Sequence, residues 1–259
     1  MAREAVYLSC EGPVAQLVLN QPARRNALTE AMWRAVPTLL DEAAQNNAIK
    51  VLIVRGAGGT FAAGADISEF ETVYATADRA TGYSQAIARA LDGLAAFPKP
   101  TLALVEGACI GGGCAIALAC DLRFAAKGSK FGITPAKLGL LYPLNDTKRL
   151  IDAVGVAAAK DLLFTARHVE AEDALGMGLI DRLLDADALD DAAQTFIAQL
   201  VANSASSNRL MKQIIARIQA GQSSEDEQSR QMFLEAFQSE DFQEGYRAFL
   251  EKRKPDFSG

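Results

Sequence analysis

Cys109-Ile-Gly-Gly-Gly-Cys-Ala-Ile-Ala-Leu-Ala-Cys-Asp121 sets three glycines between two apolar stretches. The stretch before it, Thr101-Leu-Ala-Leu-Val105, follows Pro98 and Pro100 closely. Its length and flanking prolines predict a buried strand. From Cys114 the residues are small and apolar, which predicts a buried helix. Glycine adopts backbone angles closed to other residues and lets a ligand approach the main chain. A helix N-terminus presents unpaired N–H groups at the positive end of its dipole. A strand, a glycine turn and a helix start together make a site for a negative oxygen, either a phosphate or an oxyanion formed during reaction.

Outward from this centre, strands and helices alternate through about residue 200, which argues an α/β fold. Val6–Leu8 and Val14–Leu19 read as strands joined by the turn Glu11-Gly12-Pro13. Thr29 caps a helix running to Leu40, and Val51–Arg55 is a buried strand. A second glycine turn, Phe61-Ala-Ala-Gly-Ala-Asp-Ile67, follows. Residues 68–82 read as acidic and irregular, and 83–97 as a helix. Leu122–Ala125 is a further strand, and Lys130–Pro135 is short and extended. Residues 192–202, 207–220 and 224–239 carry amphipathic helical spacing. Met232, Phe233, Phe237 and Phe249 exceed what such short helices bury on themselves, so they point to packing on the main body or on a neighbouring subunit.

The chain has 259 residues, 50% of them hydrophobic and 22% charged, and a net charge of −6. These are the proportions of an ordinary globular protein. A general nucleic-acid partner wants a basic surface, so none is expected. No apolar run approaches the ~20 residues needed to span a bilayer, and the N-terminus has no signal core. Four cysteines without a CxxC pair, beside a single histidine, argue reduced thiols in a cytoplasmic protein and no metal site.

The two glycine turns, with their spacing, resemble the paired signatures of the crotonase (enoyl-CoA hydratase/isomerase) superfamily. Asn20-Gln-Pro-Ala-Arg-Arg-Asn-Ala-Leu28, Cys120-Asp-Leu-Arg-Phe124, Phe164-Thr-Ala-Arg, Ala174-Leu-Gly-Met-Gly-Leu-Ile180 and Glu244–Pro255 carry the same likeness across nearly the whole chain. The resemblance implies a spiral of ββα units over residues 1–191 with the acyl-CoA site. It implies a helical region over 192–259 that forms a homotrimer or a dimer of trimers. It also implies an acyl-CoA thioester substrate, with no cofactor beyond the coenzyme A of the substrate itself. By position, the two oxyanion-hole donors fall on the backbone N–H groups of Ala65 and Gly112. One such donor is worth roughly 3–4 kcal/mol of barrier. The CoA tail is placed near Arg24, Arg25, Ala63, Asp66 and Ile67, with Phe249 and Lys252 reaching it from the C-terminal segment.

Two departures bear on the chemistry. In hydratases of this superfamily one glutamate lies just after the Gly-Gly-Gly-Cys run and another in the segment after Phe-Gly. Here those positions are Ala115 and Pro135, neither of which transfers a proton. Ile133-Thr-Pro-Ala-Lys-Leu-Gly-Leu-Leu-Tyr142 is instead similar to a stretch of methylmalonyl-CoA decarboxylases, where the tyrosine helps hold the substrate carboxylate. Unlike those enzymes, this chain has Ala65 in place of a histidine. Tyr142, Thr134 and Asp146 are therefore the candidate catalytic side chains. Asp146 also reads as the cap of a helix starting at Thr147. Glu69, Glu71, Cys114 and His168 read as loop charges, a core thiol and a surface imidazole. The loss of a strong base favours a decarboxylase-like lyase; the alternatives are a hydratase or isomerase with other acid/base groups and a non-catalytic acyl-CoA binder.

Overall fold

A computed structural model describes residues 4–257. Two compact units divide the chain, residues up to 97 with 101–193, and 98–100 with 194 onward.

In the first unit, β1 (Val6–Glu11) and β2 (Val14–Leu19) form an antiparallel hairpin turned at Gly12, where φ is 53°. Helix α1 (Glu30–Gln45) starts at Thr29, whose Oγ1 accepts the Met32 amide at 3.2 Å. Its apolar stripe of Met32, Trp33, Val36, Leu40 and Ala43 is buried. β3 (Val51–Gly56), α2 (Phe70–Val73), α3 (Ala77–Ala95), β4 (Thr101–Val105), β5 (Ala108–Ile110) and α4 (Gly112–Ala119) follow. Then come β6 (Leu122–Ala126), β7 (Lys130–Gly132), α5 (Leu144–Thr165), β8 (His168–Glu170), α6 (Ala171–Gly176) and β9 (Arg182–Leu184). One sheet has the order β1-β2-β3-β4-β6-β9 and the other β5-β7-β8. Beyond the first hairpin the large sheet is parallel. Its central strands are therefore apolar on both faces, as in Val51–Val54 and Leu102–Val105. The α/β architecture of ββα units with a helical C-terminal region is as expected. α4 is buried from Gly113 to Ala119, which is why its sequence is small and apolar all round rather than striped.

The last helices are α7 (Leu189–Val201), α8 (Ala205–Gln219), α9 (Glu227–Gln238) and α10 (Glu240–Glu251). Within the second unit Ser204 ties two of them. Its Oγ accepts the Ser207 amide at the start of α8 and donates to Asp241 of α10. Met211, Ile215 and Ile218 of α8 and Phe233 and Phe237 of α9 are exposed.

Two sequence expectations are corrected. Residues 68–82 are not irregular, because they hold α2 and the first turns of α3. Thr76 caps α3 by accepting the Arg79 amide at 3.2 Å, and Arg79 pairs with Glu30 of α1 at 2.8 Å. Caps and ion pairs, rather than an apolar period, hold this stretch helical. Asp146 does not cap a helix starting at Thr147. The helix starts three residues earlier, with Pro143 at the cap position and Asp146 inside its first turn.

Candidate active site

The two glycine turns are built against each other. The Ala62 amide donates to Ala108 O and the Ile110 amide to Ala62 O, both at 2.9 Å, which ties the first turn to β5. Leu28 donates to Gly64 O at 2.8 Å and accepts from the Asp66 amide at 2.9 Å. These bonds make a parallel bridge between Leu28 and Ala65. In extended backbone successive amides face opposite ways, so the Ala65 N–H points away from Leu28. In the second turn, the Gly111 amide is taken by Gly132 O at 2.8 Å, and the first bond of α4 runs from the Ala115 amide to Gly111 O. The Gly112 amide is thus one of the donors that a helix start leaves over. Among the described residues neither the Ala65 nor the Gly112 amide has a protein acceptor.

Glycine is demanded at two positions here. Gly64 has a φ of 102°, and a Cβ on it would lie 3.1 Å from Ile110 O. A Cβ on Gly113 would lie 2.7 Å from Ala62 O and 2.9 Å from Ala62 Cβ. Side chains at either place would force the turns apart.

Both turns open on a cavity of about 780 Å³. Ala65, Gly112, Ala115, Thr134, Pro135, Tyr142 and Asp146 all line it. The sites 115 and 135 thus do face the cavity, with a methyl group and a pyrrolidine ring. A wall of aromatic rings stands opposite, with Phe70 edge-on to Tyr74 at 5.1 Å and Tyr74 edge-on to Tyr83 at 5.8 Å. Thr134 Oγ1 is 3.8 Å from where a Cβ on Gly111 would stand, so its hydroxyl lies beside the second turn. Asp92 and Asp146 are the charged side chains on the lining, and no Lys, Arg or His joins them among the described residues.

Tyr142 and Asp146 are the polar side chains with unusual surroundings. The Tyr142 hydroxyl is buried without a hydrogen-bond partner among the described residues. Burial, and then the proximity of Cys114 and Asp146, push the phenol well above its ordinary range, so it is a neutral O–H donor. Asp146 is 5% exposed. Burial raises its carboxyl above the usual carboxylate value, Arg149 works against this, and Asp92 adds to it. Arg149 Nη1 donates to Asp146 Oδ1 at 2.7 Å, while Oδ2 has no protein donor among the described residues.

The remaining candidates separate. Ala63 and Ile67 line the cavity, Ile67 being 60% exposed. Arg24 and Asp66 hold each other as an ion pair. Asp66 Oδ1 also accepts from Arg24 Nη2 at 2.8 Å and from the Ser68 hydroxyl at 2.6 Å, and Arg24 reaches Ser68 Oγ at 2.8 Å. Arg25 is exposed, in the left-handed region at φ 50°. Phe249 is exposed near the end of α10, and Lys252 is its left-handed C-cap. They belong to the second unit. His168 sits on β8 with its ring against Gly132 and is not on the cavity lining. Glu69 is not a free loop charge, since its Oε2 accepts the Glu30 amide at the start of α1 at 2.7 Å. Glu71 is exposed, and Cys114 is buried beside Cys109, whose thiol burial raises.

Asp92, Asn145 and Arg149 escape a reading of the sequence. They come from α3 and α5, and no local motif joins them. The aromatic wall of Phe70, Tyr74 and Tyr83 escapes it too, since its rings come from α2, the residue after it and α3. Among the described residues no cluster suits a metal ion, and no helix is long and apolar enough to cross a membrane.

The family model for enoyl-CoA hydratase/isomerase matches residues 9–259. A probable enoyl-CoA hydratase of Mycobacterium tuberculosis is 36% identical over 262 residues, covering 100% of this chain and 99% of that one. The short-chain-enoyl-CoA hydratase of Clostridium acetobutylicum is 34% identical over 252 residues, covering 96% and 95%. The solved structure of an enoyl-CoA hydratase/isomerase family protein from Hyphomonas neptunium superposes with a TM-score of 0.96 at 48% identity, covering 98% of both chains.

Proposed function

Since the chain belongs to the enoyl-CoA hydratase/isomerase family, we propose that it transforms acyl-CoA thioesters through an enolate held by the amides of Ala65 and Gly112. The observation that carries this is the pair of amides without acceptors, on two mutually packed turns at one cavity. As negative charge builds on the thioester oxygen, donors already in place need no reorganisation.

Proton movement falls to Asp146 and Tyr142, because positions 115 and 135 carry no titratable group. In a double-bond shift, the Asp146 carboxylate takes a proton from a carbon of the acyl group. The C–H electron pair passes into the conjugated system and onto the thioester oxygen. The same carboxyl then returns the proton to another carbon. In a hydration, Asp146 takes the proton from the attacking water as its oxygen bonds to the β-carbon, the C=C electron pair passes onto the thioester oxygen, and the carboxyl then gives that proton to the α-carbon as the enolate collapses back to the thioester. A raised carboxyl value suits both directions of transfer, since a useful acid/base lies near the working pH.

Decarboxylation is the second reading, favoured by the Tyr142 hydroxyl, a buried donor with no protein acceptor. There the bond to the departing CO₂ supplies the electrons, and no strong base is needed. A cavity wall with two carboxylates and no cation on the described lining suits an uncharged acyl group better, and so supports the first reading. The CoA tail would run by Ala63 and Ile67 toward the exposed Arg25 and Arg24. The exposed apolar faces of α8 and α9 support self-association as a trimer or a dimer of trimers.

Crotonyl-CoA, trans-hex-3-enoyl-CoA and methylmalonyl-CoA, each incubated with the protein and analysed by product mass, separate the possibilities. Added water or a moved double bond supports the first reading, and loss of CO₂ the second. Tight binding of all three without turnover would leave an acyl-CoA binder.

A further inference from the structure

We propose that Asp92 and Arg149 are positioning residues that hold Asp146 by one carboxyl oxygen and leave the other for the acyl group. The inference rests on the reading of Asp146 as the proton carrier. Arg149, one turn along α5 from Asp146, divides its guanidinium between two carboxylates. Nη1 donates to Asp146 Oδ1 at 2.7 Å and Nη2 to Asp92 Oδ1, on α3, at 2.5 Å. Asn145 Nδ2 secures Asp92 from the other side, at 3.1 Å to Oδ1 and 3.2 Å to Oδ2. Asp92, Asn145 and Asp146 all reach the cavity lining, whereas Arg149 stays behind it.

A plain helix ion pair between residues 146 and 149 would need no third member. Here Asp92 takes half of the guanidinium and sets a like charge near Asp146. The groups that face Asp146 are Arg149 on its own helix, Asp92 from α3 and the Tyr142 hydroxyl from the segment before α5, with Cys114 of α4 against Tyr142. The start of α5 adds its positive dipole end. Burial and Asp92 oppose the anion, while Arg149 and the helix start favour it. The result is a carboxyl fixed in direction, with its titration moved upward from the ordinary carboxylate value.

The test follows the Asp146 carboxyl carbon by NMR titration in the full chain, beside the pH profile of kcat with trans-hex-3-enoyl-CoA. Asp92→Asn removes the like charge with little change of shape, and its Asp146 titration is expected about half to one pH unit lower. Arg149→Gln is expected to raise that titration and to lower kcat at least about tenfold with KM within about threefold. Arg149→Lys should recover part of both. An Asp146 titration that stays put in both Asp92→Asn and Arg149→Gln overturns the proposal, as does equal loss in Arg149→Gln and Arg149→Lys. A protein silent on every thioester whose Asp146 still shifts as expected supports the holding network and refutes the catalytic reading above.

Discussion

The two ends of the cavity are made of different material. At one end the working groups are main-chain amides, placed by turns in which Gly64 and Gly113 leave no room for a side chain. At the other they are the side chains of Tyr142 and Asp146, held by residues from separate helices. The amide end depends on hydrogen bonds between backbone groups and tolerates change at Ala65, whose side chain plays no part. The side-chain end depends on which residues stand at a few positions, Ala115, Pro135, Tyr142 and Asp146 among them. Under the proposed function, the amide end would set what intermediate can be held, and the side-chain end what is done with it.

The sharpest way to break this division is Gly113→Val. Its Cβ would meet Ala62 O at 2.7 Å, so the two turns must separate and both amides shift. Turnover is expected to fall by at least about a thousandfold, the scale of losing such donors, whatever substrate the side-chain end prefers. Steady-state kinetics with a melting curve separates this loss from simple unfolding.

Asp146→Asn tests the other end. With a carboxyl doing the proton work, kcat is expected to fall about 10²–10⁴-fold, while calorimetry finds saturated acyl-CoA bound as before. Stability should respond in the opposite sense. The folded protein holds the Asp146 proton more tightly than the unfolded chain, whose value is near 3.8. The buried anion thus costs stability at neutral pH, and that cost fades as pH falls toward the folded value. The melting temperature of Asp146→Asn relative to wild type should be greatest at neutral pH and decline on acidification, once the pH falls through the raised titration of the folded Asp146 carboxyl.

Charge selection sharpens the comparison further. Hexanoyl-CoA and adipyl-CoA differ only by a carboxylate at the far end of the acyl chain. The described wall bears Asp92 and Asp146, which share the single Arg149 guanidinium behind it, so the uncharged thioester should bind more tightly, by about tenfold in Kd, since like-charge juxtaposition costs affinity. Equal affinities would mean that the acyl group does not run past Asp92.

The smallest effect is expected for Tyr142→Phe. Removing a buried hydroxyl that lacks a partner relieves an unmet polar group, so the variant should be more stable by about 1 kcal/mol. Its turnover should nonetheless drop about tenfold if the hydroxyl serves the acyl group, and not at all if it is an idle core group.

The amide end was legible in the sequence because glycine is conspicuous and its reason is local. Gly64 and the Gly111–Gly113 run announce strand-to-helix turns before any fold is known. The strands were legible from unbroken apolar runs such as Thr101–Val105. The first turns of α3 were not, since Thr76, Arg79 and Glu30 hold them with a cap and an ion pair across two helices rather than with a pattern inside one. Asp146 reads in the sequence both as a candidate acid and as a helix cap, and the cap fails because Pro143 begins the helix earlier than the polar residues suggest. Asp92 and Arg149 stand 57 residues apart, and only the tertiary fold, with α4 packed against both α3 and α5, brings their side chains together.

The Arg24–Asp66 pair bears on how the tail of a thioester would be admitted. A phosphate arriving at Arg24 meets a guanidinium already occupied, so recognition there is a swap of one anion for another and gains little from long-range attraction. Asp66 sits immediately after Ala65, and its carboxylate also anchors Ser68. Loosening that carboxylate slackens the very turn that aims the Ala65 amide. Under the proposed function, occupancy at the nucleotide end and alignment at the reacting carbonyl would thereby be coupled through a single acidic residue.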